Sequence, residues 1–369
     1  MTGILLTGAT GDLGMDMVRS HLKSGSSEPL YLVLRGSDHE VKAKLNSIIR
    51  YCGERKLKNL LLPVKGDILL PGMGLSRKQT SIISSKITGA IHCAADVNFS
   101  TGLLDSLETN FEGTRNLLVF LMKCKKLEKI GYVSTLFIAG KRKGRILENE
   151  LEHSKGFVNP YEKTKYETER LLCGLRESLP IAIYRPAIIF SDSSGRIRKF
   201  NAVHKALQFY YHDMIRYLPG RKDTRVNLVT SDFVSESIIS LFGKFRPETY
   251  HVCSTDKNSF TLMEMLEEAR HHFIKYMPAW RSKRIRIPKI LPKAEYESVE
   301  REAESNGDKF SLQILRSLKT FTLQMAYPKT YDTSNFSAVL GSNWNAPHPR
   351  EYFEKSIAFS IKMNWSQNG

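Results

Sequence analysis

Tyr161 and Lys165 stand four residues apart in N-P-Y-E-K-T-K-Y-E-T-E (159–169). On a helix that spacing puts both side chains on one face. An ammonium beside a phenol favours the phenolate and lowers the tyrosine's pKa. A tyrosine tuned in this way passes a proton to or from a carbonyl oxygen. The pair is common by chance, so its meaning depends on what else is brought to it. Ser134 and Thr135 in Y-V-S-T-L-F (132–137) end an apolar run that reads as a strand. A hydroxyl at the C-terminal end of a parallel strand lies at the crevice where such sheets bind ligands.

The second group is T-G-A-T-G-D-L-G, Thr7 to Gly14. An aliphatic run precedes it and a helical apolar pattern follows, which is the context a dinucleotide loop requires. Gly8 permits a tight turn, Gly11 leaves room for a pyrophosphate, and Gly14 lets helix and strand pack closely. The helix N-terminus then offers free N–H groups to phosphates. Thr7, Gly8, Thr10, Gly11, Asp12, Leu13 and Gly14 are the candidate cofactor-binding set. A plain glycine turn is the bland alternative, and the strand–loop–helix context argues against it. The residue closing the second strand selects the dinucleotide: an acid suits the NAD ribose, whereas an arginine accommodates a 2′-phosphate. Here L-V-L-R-G-S puts Arg35 there, 21 residues beyond Gly14, with no acid before Asp38. The expected cofactor is NADP(H).

These groups need a frame. Apolar strands are expected at 3–8, 30–36, 61–68, 89–95, 128–137 and 180–190, with helices at 39–50, 76–86, 104–126 and 160–178 between most of them. Continuous apolar strands alternating with helices predict an α/β doubly wound parallel sheet of Rossmann type, covered on both faces. Residues 199–217 read as helical and aromatic-rich, 225–245 as a strand and helix returning to the sheet, and 249–254 as a further short strand. The expected division is a cofactor domain of 1–190 plus about 225–248, and a smaller, mainly helical substrate lobe of 191–224 and 249–369.

A chain of 369 residues has room for both. No apolar run approaches the ~18 residues of a membrane span, and G-I-L-L-T-G is too short for a signal sequence. The five cysteines, Cys52, Cys93, Cys124, Cys173 and Cys253, form no C-x-x-C pair, so thiolate metal sites are not expected and a reducing, cytoplasmic setting is. His271 and His272 do not share a helix face and are read as surface residues, so no metal is expected. The net charge of +17 is partly clustered, at 141–145, 196–199 and 281–289. The clusters lack a nucleic-acid-binding motif, so nucleic acid is not an expected partner. They suit acidic proteins, phosphorylated small molecules or a peripheral contact with anionic headgroups.

Together the residues resemble the extended short-chain dehydrogenases/reductases, clearly over 1–255 and weakly beyond. The carriers are the 7–14 loop, G-D-I with Asp67, H-C-A-A-D-V-N-F (92–99), T-N-F-E-G-T-R-N-L-L (109–118), V-S-T (133–135), Tyr161 with Lys165, and Y-R-P-A-I-I-F (184–190). The resemblance implies Thr135, Tyr161, Lys165 and Asn110 as the catalytic set. The hydroxyl in such proteins precedes a closing glycine by five residues, and Gly140 then points to Thr135 rather than Ser134. It also implies Asp67 and Ile68 near the adenine, Ala94, Ala95, Ser134, Pro186 and Ile188 along the cofactor, and Lys165 on the nicotinamide ribose. L-V-L-R-G, V-S-T-L-F and K-T-Y-D-T-S-N-F-S-A-V-L-G (329–341) are most similar to the thioester-reductase and fatty acyl-CoA reductase (male-sterility) branch. That branch implies reduction of an acyl thioester on coenzyme A or an acidic acyl carrier protein, giving aldehyde or alcohol, by a monomer or homodimer. Adenylation and carrier domains are not seen, so the substrate is expected from outside. The rival readings are a ketone or aldehyde reductase and a nucleotide-sugar epimerase or dehydratase. Arg35 and the L-F-I-A at 136–139 disfavour the sugar reading. A non-enzymatic NADP-binding protein is disfavoured by retention of both Tyr161 and Lys165. The aromatic stretch 209–220 is either an acyl-binding wall or ordinary core.

Overall fold

Ile4 and Leu6 point to one face of a β-strand and Leu5 to the other, and all three are buried. That double burial is why the first strand reads as an uninterrupted apolar run. The structure, a computed structural model, describes residues 1–53, 55–99, 101–277, 279–282 and 285–366. Its first half runs β1 (Gly3–Thr7), α1 (Asp12–Lys23), β2 (Leu30–Leu34), α2 (Asp38–Cys52), β3 (Leu61–Lys65), α3 (Arg77–Ser84), β4 (Ile87–His92), α4 (Leu103–Leu107), α5 (Gly113–Leu121), β5 (Lys129–Val133), β6 (Gly144–Ile146) and α6 (Pro160–Gly174). Next come β7 (Ile181–Pro186), β8 (Ile188–Ser191), α7 (Ala202–Tyr211), β9 (Tyr217–Pro219), β10 (Arg225–Val226), β11 (Leu228–Thr230), α8 (Ser231–Gly243) and β12 (Thr249–Val252). The rest is β13 (Phe260–Thr261), α9 (Leu262–Tyr276), α10 (Ala279–Ser282), β14 (Lys289–Leu291), α11 (Lys293–Ser305), α12 (Lys309–Thr322), β15 (Lys329–Tyr331), α13 (Ser334–Leu340) and α14 (Phe353–Lys362).

The main sheet has seven parallel strands in the order β12-β7-β5-β4-β1-β2-β3. After β3 the chain crosses back to the other side of β1, so the strand order reverses between β1 and β4. Ligands of such sheets bind at the C-terminal ends of the strands at that reversal. Met17, Val18, Ile238 and Leu241 of α1 and α8 cover one face. Leu117, Leu121 and Leu172 of α5 and α6 cover the other. This is the doubly wound Rossmann-type fold.

Three sequence expectations change. The 180–190 run is broken at Ala187 into β7 and β8, and β8 leaves the main sheet to pair with β11. Thr249–Val252, expected with the substrate lobe, is the seventh strand and pairs with β7. The helix expected over 199–217 ends at Tyr211, and Tyr217–Pro219 pairs with β14 instead. Phe190, Leu207, Tyr210, Phe260, Leu266, Phe273, Leu318 and Phe353 form a separate core for the segments beyond the sheet. Among the described residues no helix is long and apolar enough to cross a membrane. The basic cluster at 281–289 lies partly outside the described residues.

Candidate active site

The expected site residues gather along the C-terminal edge of the sheet. Gly8, Thr10 and Gly11 follow β1, Arg35 follows β2, Asp67 and Ile68 follow β3, and Ala94 and Ala95 follow β4. Ser134 and Thr135 follow β5, and Pro186 and Ile188 flank the end of β7. Gly8 has φ of +74°, and a Cβ there would lie 2.6 Å from the Ala94 nitrogen. A Cβ on Gly14 would lie 2.0 Å from the Gly8 carbonyl oxygen. The loop is therefore a shallow cradle that any side chain would fill. Gly11 caps α1 without a side-chain hydrogen bond, so the first-turn N–H groups, beside Asp12 and Leu13, stay available to an anion. This cradle fits a dinucleotide diphosphate. Arg35 is exposed, and its carbonyl accepts a 2.7 Å hydrogen bond from Lys44 Nζ, which holds the Lys44 ammonium at the end of β2. Lys44 was not legible in the sequence. Asp67 accepts from the Leu69 N–H (3.0 Å), and the Ile68 carbonyl accepts from Asn116 (2.9 Å).

Asn159 caps α6 by accepting from the Glu162 N–H at 3.0 Å, which sets Tyr161 in the first turn. Tyr161 is buried and hydrogen-bonded to the Thr135 side chain. Thr135 Oγ1 also accepts from the Phe137 N–H at 3.2 Å, which fixes its rotamer. Burial pushes the Tyr161 phenol well above its usual range, and the Thr135 hydrogen bond partly opposes this. The depression by Lys165 expected from the i, i+4 spacing is not found. Lys165 Nζ donates instead to the Val133 carbonyl at 2.7 Å and lies 4.3 Å above the Tyr132 ring. A buried ammonium takes the nearest strong acceptor, here the free carbonyl at the end of β5. Burial brings its pKa down to about 8.

Ser134 stands at the end of β5 beside Thr135. Its hydroxyl donates to the Glu169 carboxylate, which also takes a fork of hydrogen bonds from Arg185, the closest at 2.7 Å. Arg185 and Glu169 are 1% and 0% exposed. Glu169→Ala would leave that guanidinium buried and unpaired, so we expect a loss of about 3–5 kcal/mol, read as a lower urea midpoint. The pair stiffens β7 and α6 beneath the site.

Asn110 sits in a π-helical turn, Glu108–Glu112, between α4 and α5. Such turns often mark functional positions. Asn110 Oδ1 accepts from the Asp96 N–H (2.8 Å), and Nδ2 donates to the Asp96 carbonyl, Ser106 and Thr164 (3.0, 3.2 and 3.0 Å). Its amide protons are committed, so it ties the 94–96 loop to α6. Below it runs a buried relay that the sequence reading missed. Thr114 donates to the Asn110 carbonyl (2.6 Å), so His92 Nε2 donates to Thr114 (2.9 Å). His92 Nδ1 then accepts from Thr7 (2.6 Å), whose oxygen accepts from the Ala94 N–H (3.3 Å). Burial drives the His92 pKa down to about 3, so the ring is neutral as this tautomer requires.

A narrow cleft opens beside Thr135, lined by Phe137, Pro186, Ile188, Asn227 and Lys329. Phe99 packs 5.4 Å from the Tyr161 ring, and Phe321 of α12 lies 6.5 Å from both Phe99 and Phe137. These three rings pack together beside Tyr161, and Phe137 lines the cleft. In 209–220, Tyr210 and Tyr211 pack instead on Phe273 and Trp280 inside the second core, so the core reading of those two holds.

The profile of the family described as male sterility protein matches residues 6–238. The chain is 26% identical over 348 residues to probable fatty acyl-CoA reductase 5 of Arabidopsis thaliana, covering 74% of this chain and 70% of that one. It is 25% identical over 352 residues to the alcohol-forming fatty acyl-CoA reductase of Simmondsia chinensis, with the same coverage. Among solved structures it is similar to the terminal R domain of the myxalamid PKS-NRPS pathway. That match has a TM-score of 0.78 and 24% identity, covering 100% of this chain and 92% of that one.

Proposed function

We propose, for a chain that belongs to the male sterility protein family and is an oxidoreductase of the extended short-chain dehydrogenase/reductase type, that it reduces an acyl thioester with NADPH. The observation that carries this reading is the pair of buried, hydrogen-bonded hydroxyls of Thr135 and Tyr161 at the C-terminal edge of the sheet, with Thr135 lining the cleft. The names of the fatty acyl-CoA reductases it resembles support the thioester.

The glycine cradle and the α1 N-terminus would hold the diphosphate, and Arg35 with Lys44 the 2′-phosphate. When bound, the nicotinamide supplies the hydride. Tyr161 donates its proton to the substrate oxygen as negative charge develops there. Thr135 donates to the Tyr161 oxygen and so stabilises the phenolate left behind. Lys165 keeps a cation in the site below about pH 8. Loss of the thiol from the resulting hemithioacetal breaks the C–S bond and gives an aldehyde, and a second reduction gives the alcohol. The phenyl rings of Phe99, Phe137 and Phe321 give an apolar acyl group a dry surface. We place the substrate on coenzyme A or a carrier protein. The spread of the cysteines supports a cytoplasmic setting.

NADPH oxidation with a panel of acyl-CoA thioesters and matched aldehydes and ketones tests the reading. Turnover of thioesters is expected; turnover of ketones alone would refute it. Arg35→Asp is expected to shift the NADPH/NADH ratio of kcat/KM toward NADH by about tenfold or more, by removing one phosphate contact. An unchanged ratio would take Arg35 off the 2′-phosphate.

A further inference from the structure

The basic cluster at 141–145 is not used by the mechanism, yet the fold carries it to the cleft. β6 runs parallel to β15, pairing Gly144 with Lys329 and Arg145 with Thr330. Two cations of the cluster are neutralised: Arg142 by Glu150, and Arg145 by Asp332 at 2.6 Å. Lys143 is not. It is exposed, and its ammonium sits 6.0 Å from the ring of Tyr327. Tyr327 lines the cleft that reaches Thr135. The same ring has Lys329, buried within the cleft wall, 5.7 Å away. Lys329 is held by the Gln324 side chain and the Tyr327 carbonyl, both at 3.0 Å. A third lysine, the exposed Lys293 at the start of α11, is hydrogen-bonded to the Tyr327 side chain and paired with Glu297 at 3.0 Å. Three elements distant in sequence thus place three ammonium groups around one half-buried tyrosine, two of them in solvent and one inside.

We propose that Lys143, with Lys293 of the exposed Lys293–Glu297 pair beside it at Tyr327, forms the subsite for the phosphate of a phosphopantetheine arm whose thioester reaches Thr135 through the cleft, the surface pair with Glu297 being weak enough to exchange for a phosphate. The proposal rests on the thioester reading above. The chemistry matches end to end. An arm with a thioester at one end and a phosphate at the other needs a passage from a reactive hydroxyl to exposed cations, and the cleft has Thr135 and Tyr327 in its lining. Coenzyme A and carrier proteins share this phosphate, so the subsite reads what the two sources have in common. Exposed lysines bind a phosphate as mobile point charges, which makes the contact sensitive to salt.

The test compares an acyl-pantetheine, the matching acyl-phosphopantetheine and the matching acyl-CoA. With the wild-type chain KM should be about tenfold lower for the two phosphorylated substrates at low salt, at similar kcat. In Lys143→Gln/Lys293→Gln that preference should fall to within about twofold, with acyl-pantetheine turnover unchanged. A control double variant, Lys125→Gln/Lys126→Gln, removes the same charge elsewhere and should keep the preference. A preference that survives the first double variant, or is lost equally in the control, overturns the subsite. So does a first variant that slows all three substrates alike. Calorimetric binding of phosphopantetheine against pantetheine reads the same contact without turnover. A phosphate preference in binding, lost in the double variant, with no thioester reduced, would sink the thioester reading and leave the phosphate subsite standing. Thioester reduction without any phosphate preference would do the reverse.

Discussion

Tyr161→Phe is expected to lower kcat by about a thousandfold or more and to leave NADPH affinity within about twofold. The substitution removes one oxygen. The ring keeps its packing against Phe99, and α6 keeps its Asn159 cap. What disappears is the proton donor and the acceptor of the Thr135 hydrogen bond. Burial already favours the neutral phenol, so the wild-type tyrosine holds its proton until the substrate oxygen becomes basic enough to take it. Fluorescence titration with NADPH and single-turnover oxidation separate the two quantities. A variant that turns over within tenfold of wild type would show that another group protonates the oxygen.

Gly14→Ala is expected to weaken NADPH binding by about a hundredfold and to lower Tm by several degrees. The added Cβ would stand 2.0 Å from the Gly8 carbonyl oxygen and 3.0 Å from Ala9 Cα. Backbone on both sides has to shift, and such overpacking costs about 1–3 kcal/mol. The shift falls on the cradle itself, because Gly8 must keep its left-handed φ to pass beneath Ala94. Gly174→Ala, at the end of α6 with open space around it, is the control and should be neutral or slightly stabilising. If both variants bind NADPH equally well, the loop is not the diphosphate site.

The sheet was legible because strands such as β1, β2 and β7 are buried on both faces and so write nearly unbroken apolar runs, whereas the edge strand β3 exposes Pro63 and Lys65. The loop was legible because backbone closeness of the Gly14–Gly8 kind tolerates no side chain. The position of Arg35 directly after β2 was legible from its distance along the chain. What escaped depends on contacts between remote segments. Phe99 and Phe321 come from different parts of the chain, and only the fold packs them together beside Tyr161. Thr7 and His92 meet because β1 and β4 pair in register. Lys165 was assigned to Tyr161 by helical spacing, but the carbonyl that claims it belongs to β5, and no helix periodicity reports that. The acyl-wall alternative for 209–220 failed at Tyr210 and Tyr211, because composition does not distinguish rings facing a ligand from rings facing Phe273.

The most direct test counts thiol released per NADPH oxidised by the wild-type chain with a single acyl-CoA. The account predicts one thiol per NADPH if the product is the aldehyde and one per two if it is the alcohol, with both signals abolished together in Tyr161→Phe. NADPH oxidation without thiol release would mean that the chain reduces some other carbonyl, and the thioester assignment would fall.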